Sequence, residues 1–297
     1  MSIKGYRIDG ALVILSGASS GIGFELAELP AVRCGCTVIG IGRRELKLAE
    51  AAEKIRAHGG KFEYRAFDVT DAGGWRSLAA ELEAAGRIPD VLINNAGTLP
   101  PFAGFPLEGG ADAVRKTAEL NFLSQVYAAE IMLPLLLRSP RGALINVASS
   151  ASLCALPGSA AYSASKAASR AFTEALACEY RGTLYVASVC PGFTATPIFD
   201  GQKGDITVFL RFASSPAKMA KSILSGIRHG RSLIVRGADA HAMSILYRFF
   251  GTAGERLCAD VLHRFGGELT LQSGLLLGGL GLTDGDKRRD GSGHDKT

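Results

Sequence analysis

At 297 residues, with 47% hydrophobic and 21% charged residues, the chain has ordinary globular composition and can bury a large core, which excludes wholesale disorder. The net charge of +5 comes from 33 basic and 28 acidic residues with no Lys/Arg-rich block on one helical face, so nucleic-acid binding has no support, and a mild bias toward anionic small molecules remains. Six cysteines include one close pair, Cys34 and Cys36, without a second pair or a His cluster; this argues for buried free thiols and against any metal site.

In chain order, short apolar runs alternate with longer amphipathic stretches. ALVILSGA (11–18) reads as a buried strand, and a helix then runs from Gly21 to about Arg33. Pro30 removes a hydrogen bond and crowds the Leu26 carbonyl, which predicts a kink or an early helix end there. TVIGI (37–41) is strand-like, and residues 44–58 read as a helix with Leu46, Leu48, Ala52 and Ile55 near one face, stopped by Gly59. KFEYRAF (61–67) alternates, and Asp71 can cap the next helix. VLIN (91–94), ALINVA (143–148), LYVASVC (184–190) and SLIV (232–235) are further β runs separated by helical segments. Buried, non-alternating strands between helices predict an α/β fold with a parallel sheet covered on both faces. No run reaches the roughly 18 apolar residues of a spanning helix, and the first ten residues lack a signal h-region. A reducing, cytoplasmic setting is expected.

Two stretches carry chemistry. SGASSGIG (16–23) follows a strand and opens a helix, the context in which glycines let backbone approach a pyrophosphate and the helix N-terminus supplies N–H donors. Its G-x-x-x-G-x-G spacing differs from the commoner dinucleotide pattern. Farther on, Tyr162 and Lys166 in YSASK lie four apart, on one helix face. An unperturbed phenol has a pKa of about 10, and a nearby ammonium is expected to pull it down toward the working range.

Together with DV (68–69), NNAG (94–97), Asn121 in ELNF, Ser149 and PGFTAT (191–196), these pieces resemble the short-chain dehydrogenase/reductase family from about Ala11 to Val235. Ser16 stands where the family commonly has Thr. The resemblance implies a single Rossmann-like doubly wound domain with a seven-stranded parallel sheet, and it implies roles. Tyr162 would exchange a proton with the substrate oxygen, and Lys166 would lower the Tyr162 pKa and hold the nicotinamide ribose. Ser149, thirteen residues before the tyrosine, would polarise the carbonyl, and Asn121 would hold a relay water. Gly17, Ser19, Ser20, Gly21, Ile22 and Gly23 would cradle the pyrophosphate. Asp68 and Val69 would border the adenine, Asn95, Ala96 and Gly97 its ribose, and Pro191, Gly192, Thr194 and Thr196 the carboxamide end.

The second G-I-G, at 40–42, ends a strand whose tip approaches the adenosine ribose in this architecture, so it is not a second phosphate loop. Glycine stands where an acid would repel a 2′-phosphate, and Arg43 and Arg44 follow. Their guanidinium forks match phosphate oxygens, which points to NADP(H); the alternative is a pair of solvated helix-start residues. Ser20 departs from the basic residue that many NADP(H) enzymes of the family carry there.

The resemblance places a substrate lid at about 197–215, containing Ile198, Phe199, Ile206, Val208, Phe209, Leu210 and Phe212. With Leu99, Pro100, Pro101, Phe102, Leu153, Cys154 and Leu156 it predicts an apolar pocket for a small hydrophobic carbonyl or alcohol substrate such as a steroid or lipid-like ketone. Alternatives are a 3-oxoacyl thioester or 3-ketosphinganine-type reductase and, in a different class, a non-catalytic cofactor-binding sensor or scaffold. The catalytic domain is expected over 1–237, amphipathic helices over 238–283 and a disordered tail over 284–297. The helices, with Met243, Leu246, Tyr247, Phe250 and Leu257 on their apolar side, would pack on the domain or on a second subunit. Peripheral membrane contact through 238–282, using LLLGGLGL (275–282), is the other reading. The resemblance implies a homodimer or homotetramer.

Overall fold

The computed structural model describes residues 5–106, 109–202, 210 and 213–266. Residues 203–209, 211 and 212 of the expected lid, among them Ile206, Val208, Phe209 and Phe212, lie outside them. So do the 275–282 stretch and the expected tail.

The first half runs β1 (Leu12–Ser16), α1 (Gly21–Arg33), β2 (Thr37–Gly42), α2 (Glu45–Ala57), β3 (Lys61–Ala66), α3 (Ala72–Ala84) and β4 (Val91–Asn94). It continues through α4 (Gly110–Ala118), α5 (Ser124–Leu136), β5 (Ala143–Val147), α6 (Ala160–Glu179), β6 (Tyr185–Pro191), α7 (Pro216–Arg228) and β7 (Leu233–Arg236). Two helices follow, α8 (Ala238–Phe250) and α9 (Thr252–Gly266). The seven strands form one sheet in the order β3-β2-β1-β4-β5-β6-β7, with every pairing parallel.

Successive side chains of a strand point to opposite faces, and the central strands bury both. Val13 and Leu15 enter a core with Leu26 of α1, Ile55 of α2 and Ile223 of α7. Ile14, between them, enters the other core with Trp75 of α3 and Met132 of α5. This explains why the strands read as continuous apolar runs. It also fixes all strand C-termini along one edge, where the loops of the site gather.

Three local expectations meet the structure differently. Asp71 caps α3 by accepting the Gly73 N–H at 2.8 Å. Helix α1, however, continues through Pro30 to Arg33, with no early end. Pro30 stands in the last turn, its ring is buried, and its carbonyl accepts from Cys34 at 3.0 Å and Cys36 at 3.2 Å, so one missing donor does not stop the helix. Leu46 is 80% exposed, whereas Leu48, Ala51, Ala52 and Ile55 are buried. The inward stripe of α2 therefore starts at Leu48, two residues later than the sequence pattern predicts. No pattern predicted the π-helical turn at Glu119–Leu123, which joins α4 to α5.

The C-terminal helices pack on the domain. Met243 and Cys258 are buried, and Leu246 packs beside them against Leu99, Cys154, Leu156 and Tyr162. Tyr247, Phe250 and Leu257, expected on the packed side, are instead exposed, as are Ile245 and Phe249. The break between helices falls at Gly251, with φ +53°. No helix among the described residues is long and apolar enough to cross a membrane.

The two glycines of β2 differ. A Cβ on Gly40 would lie 2.3 Å from Phe62 Cζ and 2.8 Å from Ala18 Cβ, whereas one on Gly42 meets only Leu48 methyls at 3.8 Å. Gly40→Val should therefore destabilise the protein by about 1–3 kcal/mol through overpacking, and Gly42→Ala by less than about 0.5 kcal/mol. Urea denaturation of both variants against wild type checks this.

Candidate active site

The β1–α1 turn is closed by the loop that follows β4. Asn95 N–H and Ala96 N–H donate to Ser16 Oγ at 3.0 and 3.1 Å. Asn95 Nδ2 donates to the Ser16 and Gly17 carbonyls at 3.3 Å. Gly17 has φ +68°, and a Cβ there would lie 2.9 Å from Ala96 Cα; one on Gly23 would lie 1.9 Å from the Gly17 carbonyl oxygen. The loop is thus packed backbone against backbone, which glycine alone permits.

This turn lines a long cleft with Ser19, Ser20, Gly21 and Ile22 on one side and Asn95, Ala96 and Gly97 opposite. Gly42, Arg43, Arg44, Asp68 and Val69 line one end, and Thr196 the other. Asp68 accepts the Thr70 N–H at 3.0 Å and its hydroxyl at 2.8 Å. The Thr70 amide holds the carboxyl below its usual range, helped by nearby Arg43. Both arginines are exposed. Glycine walls, helix α1 opening onto the cleft and two guanidinium groups at its end fit an elongated anionic dinucleotide. Among the described residues no group of His, Cys, Asp and Glu could hold a metal ion.

Ser149, Tyr162, Lys166 and Asn121 converge where this cleft meets a second, apolar pocket. Ser149, just past β5, holds an extended backbone and accepts the Ala151 N–H at 3.2 Å. It lines the apolar pocket together with Tyr162, and its hydroxyl acts to lower the phenol's pKa, whereas Ser150 is turned into a short helical turn. Lys166, one turn beyond Tyr162 on α6, donates from Nζ to the Val147 carbonyl at 3.0 Å, 5.9 Å from the centre of the Tyr162 ring.

The expected lowering of the Tyr162 pKa is not found. Burial pushes the phenol up, opposed by the Ser149 hydrogen bond. Burial also brings Lys166 down to about 8. Both groups are buried, and desolvation of their charged forms is the largest cause of both shifts. Asn121 holds the loop after β4 through its carboxamide: its Oδ1 accepts the Thr98 N–H at 2.8 Å, and its Nδ2 donates to Thr98 O at 2.9 Å and Ser165 Oγ at 3.0 Å.

The apolar pocket is walled by Leu99, Phe102, Leu156, Phe193, Ile198 and Phe199, with Ser149 and Tyr162 at its base. Pro191, Gly192, Thr194 and Thr196 border it, and Thr194 Oγ1 donates to Gly192 O at 3.0 Å. Leu153 is absent from that wall, and Cys154 lies behind it. Gln202 ties the opening together: its Oε1 accepts the Phe102 N–H at 2.8 Å and its Nε2 donates to Pro100 O at 3.2 Å. Sequence reasoning missed Thr98, Phe193 and Gln202. The first two adjoin recognised motifs, whereas nothing local marks a glutamine whose partners are 100 residues away.

A family model described as short chain dehydrogenase matches residues 11–206. A 3beta-hydroxysteroid dehydrogenase of Mediterraneibacter gnavus is 28% identical over 280 residues, covering 89% of this chain and 96% of that protein. An 11-beta-hydroxysteroid dehydrogenase A of Sesamum indicum is 35% identical over 198 residues, covering 66% of this chain and 56% of that one. A short-chain dehydrogenase from Sphingobium yanoikuyae, solved in complex with NADPH, superimposes with a TM-score of 0.70 at 25% identity, covering 84% of this chain and 94% of that one. With the glycine turn, the Ser149–Tyr162 pair and the seven-stranded parallel sheet in place, these matches have one reading: the chain belongs to the short-chain dehydrogenase/reductase family.

Proposed function

We propose that this oxidoreductase uses NADP(H) to interconvert a carbonyl and a secondary alcohol on a bulky hydrophobic substrate of hydroxysteroid type. The observation that carries the reading is the gathering of Ser149, Tyr162 and Lys166 in the apolar pocket where it adjoins the glycine-walled cleft. The hydroxysteroid dehydrogenases among its relatives and the NADPH bound by the Sphingobium protein support the substrate class and the cofactor.

Bound nicotinamide supplies or accepts the hydride. The chain's residues do the rest. In the reducing direction, Tyr162 donates its phenolic proton to the substrate oxygen, and Ser149 stabilises the charge developing there. A raised phenol pKa keeps that proton in place through neutral pH. Lys166, held by Val147 O, would hold the nicotinamide ribose. Arg43 and Arg44 would take the 2′-phosphate, Asp68 and Val69 would border the adenine, and Thr194 and Thr196 would face the carboxamide. Asn121 positions Thr98, and with it the strip from Asn95 to Gly97 that would border the ribose. The aliphatic and aromatic pocket walls exclude water and favour a rigid apolar skeleton over a polyol.

Three outcomes test the reading. Tyr162→Phe should lower kcat for NADPH-driven reduction of a steroid ketone on the order of 10²–10⁴-fold; activity equal to wild type would overturn the assignment. Arg43→Ala with Arg44→Ala should raise the NADPH Kd by about 10–100-fold and leave the NADH Kd unchanged, since only the former carries the phosphate. The third concerns pH. Lys166 titrates at about 8 in the fold against 10.5 ordinarily. Between those values the unfolded chain binds a proton that the folded one does not, so stability rises with pH. The stability of wild type relative to Lys166→Met should therefore grow by up to about 1.4 kcal/mol per pH unit between pH 8 and 10, read by urea denaturation at each pH.

A further inference from the structure

Two close approaches join the C-terminal extension to the loop after β6. Asp239, in the first turn of α8, accepts the Phe193 N–H at 2.7 Å through Oδ2. The preceding amide, Gly192 N–H, donates to the Arg236 carbonyl at 2.7 Å. Consecutive amides of the loop are thus gripped by the segment that ends β7 and begins α8. The carboxylate occupies a slot that glycine keeps open: a Cβ on Gly192 would lie 2.1 Å from Asp239 Oδ1, and one on Gly237 2.5 Å from it. Gly237 has φ +108°, a conformation L side chains rarely adopt.

The same loop is gripped on its other side. Ala195 N–H donates to Ser214 O at 3.0 Å, and Ser214 N–H to Phe193 O at 2.9 Å. Thr194, only 4% exposed, sits between the two grips. Asp239 itself lines neither the cleft nor the apolar pocket, so any effect it has on the site passes through the loop.

We propose that Asp239 is a positioning residue through which the C-terminal extension sets the nicotinamide end of the cofactor site, an inference that rests on the NADP(H) reading above. Its carboxylate fixes the Phe193 amide, and with it Thr194 and Thr196. The adenosine end, built from β1, β2 and β4, is independent of it.

Fluorescence titration with two ligands separates this role from a general loss of structure. One is NADPH; the other is adenosine 2′,5′-bisphosphate, which reaches only the adenosine end. Asp239→Ala should raise the NADPH Kd about 10-fold, the worth of a hydrogen bond to a charged group, and leave the bisphosphate Kd unchanged. Asp239→Asn keeps an acceptor oxygen and should restore NADPH binding to within about 3-fold of wild type. Gly192→Ala pushes a methyl into the carboxylate; it should reproduce the selective loss, and it decides the matter if Asp239→Ala does not fold. An unchanged NADPH Kd, an equal loss for both ligands, or failure of the Asn variant to recover overturns the proposal. Wild type that binds NADH but not NADPH overturns the 2′-phosphate reading alone, and the same variants titrated with NADH and ADP then test the latch.

Discussion

The site depends on one crossing of chain over chain. At the point where the sheet order reverses, β1 lies between β2 and β4, and the loops after β1 and β4 must part to leave a crevice. What keeps them parted by a fixed distance is Ser16. Its single hydroxyl receives two amides from the β4 loop, while Asn95 returns two bonds to the carbonyls beneath. Between these anchors there is no room for a Cβ at Gly17 or Gly23. A threonine at position 16 would present the same hydroxyl, so the serine found here keeps the bond and gives up only a methyl.

The second constraint is dielectric. Four polar groups, Asn121, Ser149, Tyr162 and Lys166, lie in an interior where unpaired charge is costly. The fold meets this cost by giving three of them a fixed partner: Thr98 and Ser165 for the Asn121 amide, the Ala151 N–H for the Ser149 hydroxyl, and the Val147 carbonyl for the Lys166 amine. Pre-placed partners leave little to reorganise when charge moves, the condition under which dipoles stabilise a transition state best. The same burial separates the ordinary values of Tyr162 and Lys166, moving the phenol up and the amine down.

Much of this was legible in the sequence, for reasons that can be stated. The central strands were legible because a strand buried on both faces admits few residue types, and β3, at the sheet edge, by its alternation. The glycine turn and the Tyr162–Lys166 spacing were legible because each rests on local geometry, a turn and one helical repeat. Pro30 misled because local rules weigh a lost hydrogen bond without knowing that it falls in a last turn already closed by Cys34 and Cys36. The phenol misled for a similar reason: sequence supplies the neighbour but not the depth. Leu46, Tyr247 and Phe250 fit a helical stripe by spacing, yet all three are exposed, because spacing does not say whether another element arrives to cover a face. Gln202 and Asp239 left no trace because their partners are set only when the chain has folded.

The long reach of Asp239 has a consequence for the order in which the protein is made. Its partner Phe193 precedes it by 46 residues, and the adenosine half of the cleft draws on residues up to Gly97. A chain emerging N-terminus first can therefore assemble that half while α8 is still unsynthesised. The loop beside Tyr162 gains the Asp239 grip only when the final helices arrive. A chain truncated before α8 would thus lack the carboxylate that holds the Phe193 amide, and the loop after β6 would keep only its bonds to Ser214 and Arg236.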